Sequence, residues 1–224
     1  MTPVLLFDID GTLVRTGGAG KRAVETALME QFGVAEIRDK VPYSGRTDKA
    51  ILRDVLAVHD VDTSDDNVQA FSLAYLARLP QALKDLGGQP CPGIVELIPR
   101  LKHLPLGLLT GNVERGARTK LEHFDLWKHF SFGGYGDHHH DRDDVARMAL
   151  AAARAQVGNI GPGSVWVIGD TPLDVKCAKA IGARSVAVAT GWNSYEELSE
   201  TGADLVLETL EDFSKLPSSW FENL

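Results

Sequence analysis

The chain reads as an α/β protein whose mainly parallel sheet is covered by helices, with an all-helical segment inserted after the first strand. Three observations predict this. Val4-Leu5-Leu6-Phe7 is a short apolar run without alternation, the mark of a strand buried on both faces. From about residue 17 to about residue 86, apolar residues recur only at helical spacing. Beyond the punctuation Gly87-Gly88-Gln89-Pro90-Cys91-Pro92-Gly93, the rhythm becomes helix, strand, helix, strand, which implies parallel strands joined by crossovers.

The first strand covers residues 4–8. In the inserted segment Ala23, Val24, Ala27, Leu28 and Phe32 mark one helix, and Ile51, Leu52, Val55 and Leu56 a second. Val68, Phe71, Leu73, Tyr75, Leu76 and Leu79 mark a third. Asp60, Asp62, Asp65 and Asp66 read as a solvated turn and helix start, where the macrodipole favours acids. Then come a helix over 94–104 with a kink at Pro99, a strand over 106–110, a helix over 113–124 and a short strand over 130–133. An Ala-rich helix over 143–156, a strand over 164–169, a helix over 173–181 and strands over 185–189 and 204–207 complete the chain. The organisation is therefore a discontinuous core, 1–14 plus 89–224, and an inserted helical domain, 15–88, with Gly17-Gly18 and Gly87-Gly88 at the joints. There is no internal repeat or low-complexity tract.

A net charge of −8 and a pI near 5.3 disfavour a nucleic-acid-binding stripe, while a small phosphorylated partner stays open to local basic groups and a metal. Cys91 and Cys177 are far apart and in no metal-ligand spacing, so a reduced, cytoplasmic setting is expected. The start has no basic leader, and no apolar stretch approaches the ~20 residues that span a bilayer.

The chemistry gathers at strand ends. Asp8 and Asp10 stand at the mouth of a buried strand, where two ionised carboxylates repel and lose hydration unless a cation sits between them. The strand over 106–110 runs into Thr110-Gly111-Asn112, and that over 164–169 into Gly169-Asp170-Thr171-Pro172-Leu173-Asp174. Asp141-Arg142-Asp143 opens the helix between them. Carboxyl ends of parallel strands line one edge, where ligands bind.

Asp8-Ile9-Asp10-Gly11-Thr12-Leu13-Val14, Thr110-Gly111-Asn112, a basic residue and Gly169-Asp170-Thr171-Pro172-Leu173-Asp174, in that order, resemble the haloacid dehalogenase-like hydrolase superfamily over nearly the whole chain. The likeness is to its phosphatase branch with a helical cap, the phosphoglycolate phosphatase-like group. It implies a Rossmann-like three-layer core, a mobile cap, and magnesium-dependent hydrolysis of a small phosphomonoester. Asp8 is then the nucleophile that forms an aspartyl-phosphate, and Asp10 the general acid and later base. Asp8, the backbone carbonyl of Asp10, and Asp170 would hold Mg2+. Thr110, with Gly111 and Asn112, would bind the phosphoryl group, and Asp174 would hold a metal-bound water or orient the basic residue. The family's third motif usually supplies a lysine, often before proline, and no Lys-Pro occurs here. Arg142 takes the role by position, with Lys120 and Arg147 as the other candidates; Lys120, in mid-helix, reads as a surface residue.

In the helical segment, Tyr43-Ser44-Gly45-Arg46-Thr47-Asp48 resembles the loop with which capped relatives meet substrate, which assigns Gly45, Arg46 and Thr47 to substrate binding. The plain alternative is a helix start capped by Ser44 or Thr47 with Arg46 solvated. Gly17-Gly18-Ala19-Gly20-Lys21 is no nucleotide loop, because Arg15 stands at the required glycine and Arg22 follows the lysine. Asp137-His138-His139-His140-Asp141 reads as a solvated loop beside the site. Trp127, Trp166, Trp192 and Trp220 read as packing residues, and Cys177 as a buried helix residue. The expected partner is a small phosphorylated metabolite bound by a monomer or homodimer, with no nucleic acid and no membrane. The alternatives are a phosphosugar mutase, a dehalogenase, which would need neither the acid at Asp10 nor a metal, and a catalytically silent binding protein.

Overall fold

Residues Val4–Phe7 form β1, and both of its neighbours in the sheet come from the far side of the helical insert. In this computed structural model, which describes residues 2–137, 139–161 and 163–221, the elements follow in chain order. After β1 come β2 (Val14–Arg15), α1 (Ala19–Phe32), α2 (Asp48–Val58), α3 (Asp65–Leu86) and β3 (Gln89–Pro90). Then follow α4 (Ile94–Arg100), β4 (Leu106–Leu109), α5 (Glu114–His123), β5 (Phe132–Gly134) and α6 (Arg142–Val157). The chain closes with β6 (Val165–Gly169), α7 (Pro172–Ala180), β7 (Arg184–Val188), α8 (Tyr195–Ser199) and β8 (Leu205–Leu207).

Six strands make one parallel sheet in the order β5-β4-β1-β6-β7-β8. β1, β4 and β6 are buried at every residue, as uninterrupted apolar runs require. Successive side chains point to opposite faces. Leu5 and Phe7 therefore pack with Ile94, Leu97, Ile98 and Leu121 on one side. Val4 and Leu6 pack with Val145, Ala146, Ala149 and Ala178 on the other. The result is three layers, helix on sheet on helix.

Helices α1, α2 and α3 enclose an apolar cluster of their own around Leu28, Leu52, Leu56, Phe71, Tyr75 and Leu79. The two passages into and out of this unit are joined. β2 and β3 pair antiparallel, Val14 with Pro90 and Arg15 with Gln89. Gly88 permits this approach, since a Cβ there would lie 2.3 Å from the Arg15 carbonyl oxygen. A ribbon this short leaves no readable alternation, so the sequence shows only glycine joints.

Some expectations are corrected. α4 ends at Arg100, so Pro99 falls in its last turn and residues 101–104 leave the helix. Leu73 is 52% exposed and stands off the apolar stripe of α3. Trp192 is 91% exposed and is not a packing residue; it lies in the loop after β7. α8 is too short for periodicity to reveal, although the reciprocal Ser194–Glu197 capping box is its signature. Cys91 and Cys177 are free and buried. No helix among the described residues is long and apolar enough to cross a membrane.

Candidate active site

The carboxyl ends of β1, β4 and β6 open on one edge. Asp8 continues the ladder, its N–H donating to the Ile168 carbonyl at 2.9 Å, and its side chain is buried. The chain then turns. The amides of Thr12, Leu13 and Val14 all donate to the Ile9 carbonyl, and Gly11 adopts φ +88°, a left-handed conformation that favours glycine. This turn takes Asp10 out of strand geometry, so its side chain, 43% exposed, no longer follows the strand's alternation.

Asp170, one residue past β6, accepts a hydrogen bond from the Thr12 hydroxyl at 3.1 Å. Two glycines make room for it. A Cβ at Gly11 would lie 2.4 Å from Asp170 Oδ2, and one at Gly191 only 1.7 Å away. The loop holding Gly191 is tied down where the Thr190 hydroxyl donates to the Gly11 carbonyl at 2.6 Å. Asp174, in the first turn of α7, accepts from the Thr171 amide at 3.0 Å and hydroxyl at 2.8 Å through Oδ2, while Oδ1 takes the Arg142 guanidinium.

Asp8, Asp170 and Asp174 each bring a carboxylate oxygen within 4.8 Å of the others. Burial pushes the Asp8 carboxyl up to about 7, against the pull of Arg142 and with a further push from Asp174. Burial, then Asp174 and Asp8, hold Asp170 well above the ordinary carboxylate range. Three buried carboxylates facing one guanidinium leave an excess of negative charge in a poorly solvated place. An all-oxygen donor set with that excess fits a hard divalent cation.

Of the three candidate basic residues, Arg142 reaches this cluster. It opens α6, is buried, and lies 3.0 Å from Asp8 while also holding Asp174; its Nε is buried without a partner among the described residues. Arg147 is 60% exposed and paired with Asp144, outside the site. Lys120 is not a surface residue: it is 4% exposed, with Nζ 2.6 Å from Asp10 Oδ2 and 2.6 Å from Asn112 Oδ1. A signal for this was present, because Gly116, Ala117, Lys120 and Leu121 share one helical face and all are buried.

Thr110 is buried, with Oγ1 accepting from the Asn112 amide at 3.3 Å and side-chain Nδ2 at 2.9 Å, and among the described residues its own O–H has no acceptor. Asn112 Nδ2 also donates to Asp10 Oδ2 at 2.8 Å. Gly111 meets the helical unit directly: a Cβ there would lie 2.0 Å from the Arg46 carbonyl oxygen. The Asp48 amide donates to the Gly111 carbonyl at 2.8 Å, and the Val113 amide donates to Asp48 Oδ2 at 2.9 Å. Burial lifts the Asp48 carboxyl to about 6, opposed first by Lys120.

Gly45 docks on the start of α7, where a Cβ would lie 2.8 Å from Leu173 Cδ1. Thr47 caps α2, accepting from the Ala50 amide at 3.3 Å, and Arg46 pairs with Asp54 at 2.6 Å. The helix-start reading thus holds for Thr47, while Arg46 is paired instead of free in solvent. Both still line a cleft of about 360 Å3 together with Gly45, His140, Arg142 and Lys176. Of the histidine run, His138 lies outside the described residues, and His139 sits with Nε2 2.8 Å from Met148 Sδ.

Comparison with known proteins agrees with this geometry. Over 219 residues the chain is 26% identical to the probable phosphatase IndB of Dickeya dadantii, covering 95% of this chain and 92% of that one. It is 27% identical to phosphoglycolate phosphatase 1 of Pseudomonas aeruginosa, covering 93% and 77%. The solved structure of CbbY from Rhodobacter sphaeroides in complex with phosphate superposes with a TM-score of 0.80 at 21% identity, covering 98% and 99%. The family model for haloacid dehalogenase-like hydrolases matches residues 5–188, and the chain belongs to that family.

Proposed function

We propose that this hydrolase is a magnesium-dependent phosphatase that cleaves a small-molecule phosphomonoester through an aspartyl-phosphate on Asp8. Phosphatase activity follows from the family and from the named activity of the relatives. The observation that supports the mechanism is the buried cluster of Asp8, Asp170 and Asp174, with Arg142 on Asp8 and a separate acid, Asp10, on the same strand end.

A carboxylate oxygen of Asp8 attacks phosphorus in line, and the new O–P bond forms as the ester P–O bond breaks. Asp10 gives its proton to the departing alcohol oxygen, then as carboxylate takes a proton from the water that attacks the aspartyl-phosphate. That second displacement releases inorganic phosphate and restores Asp8. The Thr110 hydroxyl and the Gly111 amide donate to the phosphoryl oxygens. Arg142, fixed by Asp174, keeps positive charge beside Asp8 as the phosphate approaches. Mg2+, held by Asp8, Asp170 and the Asp10 carbonyl, would supply the charge neutralisation that lets a carboxylate approach a phosphate.

The division into a core of 1–14 and 89–224 and a cap of 15–88 belongs to the same reading. The cap brings Gly45, Arg46 and Thr47 to the cleft beside Arg142, and its closure excludes water. A cytoplasmic setting fits two free buried cysteines.

A panel of phosphomonoesters assayed with magnesium and with a chelator tests this. Phosphate release should require the metal, Asp8→Asn should abolish it, and labelled ester should leave phosphate on the parent chain during turnover. Parent-like activity in Asp8→Asn overturns the mechanism. A requirement for a sugar bisphosphate primer would mark a mutase instead.

A further inference from the structure

Lys120 is not used by the mechanism above, yet the chain buries its ammonium group, which costs several kcal/mol unless the charge is well paired. The pairing is specific. Nζ lies 2.6 Å from Asp10 Oδ2 and 2.6 Å from Asn112 Oδ1, and Asn112 Nδ2 donates to the same Asp10 oxygen at 2.8 Å. Asp10 Oδ2 therefore takes two donors, one from α5 and one from the loop after β4. Oδ1 takes none among the described residues, on a side chain that is otherwise 43% exposed. The helical unit covers the lysine: at Gly20 in α1 a Cβ would lie 3.6 Å from Nζ.

A half-exposed carboxylate on two free torsions samples several orientations, and proton transfer needs one of them. We infer that Lys120 is a positioning residue which, with Asn112, anchors Oδ2 of Asp10 so that Oδ1 faces the leaving oxygen of the substrate. The inference rests on the reading of Asp10 as the acid. As the ester P–O bond breaks, the proton on Oδ1 passes to the leaving oxygen, and Oδ2 stays bound to Lys120 and Asn112.

The leaving group reports on this. Departure of an alkoxide needs the acid, whereas 4-nitrophenolate leaves with little help. Lys120→Met, Lys120→Arg and Asp10→Asn are compared on the best alkyl phosphomonoester of the panel and on 4-nitrophenyl phosphate. Lys120→Met should lower kcat/KM, which runs only to departure of the leaving group and so excludes the later base step of Asp10, by about thirtyfold or more on the alkyl ester and by less than about threefold on the aryl ester. Lys120→Arg should recover most of the loss. Equal losses of kcat/KM on both esters, or no loss on the alkyl ester, overturn the inference. If Lys120→Met melts below the assay temperature, Lys120→Gln carries the same comparison. Asp10→Asn separates the two claims: discrimination there without discrimination in Lys120→Met refutes the role of Lys120 alone, and no discrimination in Asp10→Asn refutes the acid reading and the inference with it.

Discussion

Melting the chelated protein at two pH values probes the buried acids directly. The Asp8 carboxyl is raised from 3.8 to about 7 in the folded chain, chiefly by burial. A raised carboxyl binds its proton more tightly folded than unfolded, so its contribution to stability is present at low pH and is lost as pH rises towards 7. Three pH units correspond to about 4 kcal/mol in all, and the interval from about pH 5 to pH 8 spans about 3 kcal/mol of it. For a chain of this size, each kcal/mol moves Tm by ~2–4 °C. The chelated protein should therefore melt roughly 6–12 °C lower at pH 8 than at pH 5. Asp48, raised to about 6, and Asp170, also raised, act in the same direction.

On the proposed metal site, magnesium should reverse this trend. Its ligands bind as carboxylates, so the stabilisation by added metal should be small at pH 5 and large at pH 8. Thermal melts followed by circular dichroism, with chelator and with magnesium, read both effects. Asp8→Asn removes one buried charge, so in chelator at pH 8 it should melt above the parent chain and show a shallower pH slope. A chelated Tm that is flat or rising from pH 5 to pH 8, or a magnesium increment equal at both, would refute the assignment of these carboxylates to a cation site.

Three substitutions follow from contacts. Gly191→Ala sets a Cβ against the Asp170 oxygen that now lies 1.7 Å from that position, so it should displace the carboxylate and lower kcat by about tenfold or more while far-ultraviolet circular dichroism stays unchanged. Gly111→Ala pushes against the Arg46 carbonyl and should separate the helical unit from the loop after β4, seen as a raised KM in steady-state assays. Arg142→Ala should cost at least about tenfold in kcat, roughly 1.4 kcal/mol, and Arg142→Lys should fall between it and the parent chain, because the shorter lysine keeps the charge but does not carry it to the place of Nη2, which meets both Asp8 and Asp174.

Much of the fold is written in local pattern. β1, β4 and β6 are apolar at every position because both faces are covered, and each ends at a motif that carries oxygen-bearing side chains. The choice among basic residues is not local. Arg142 meets Asp174 across 32 positions and Lys120 meets Asp10 across 110, and one sequence records neither distance. A mid-helix lysine defaults to solvent, so Lys120 reads as a surface residue although its helical neighbours face inward. Trp192 fails in the opposite direction, since a large apolar ring defaults to the core and here stands in water. The β2–β3 ribbon is invisible for a third reason, its pairing being set by the closure of an insert and not by any pattern within it.

The departure from a Lys-Pro third motif also has a physical account. In the proposed mechanism Asp8 and Asp10, two residues apart, need opposite treatment, the first as a bare nucleophile and the second as a proton carrier. The turn at Gly11 separates them, and each then meets its own cation from a different helix. At Asp8 the cation also holds Asp174, itself fixed by Thr171, and the long arginine side chain carries one nitrogen, Nη2, to a point between the two carboxylates. At Asp10 a single oxygen is to be held and the other left open, which a compact ammonium does without crowding the cleft. Arginine at 142 and lysine at 120 are therefore suited to their places by geometry, not by charge alone, and exchanging them would keep the net charge while spoiling both sites.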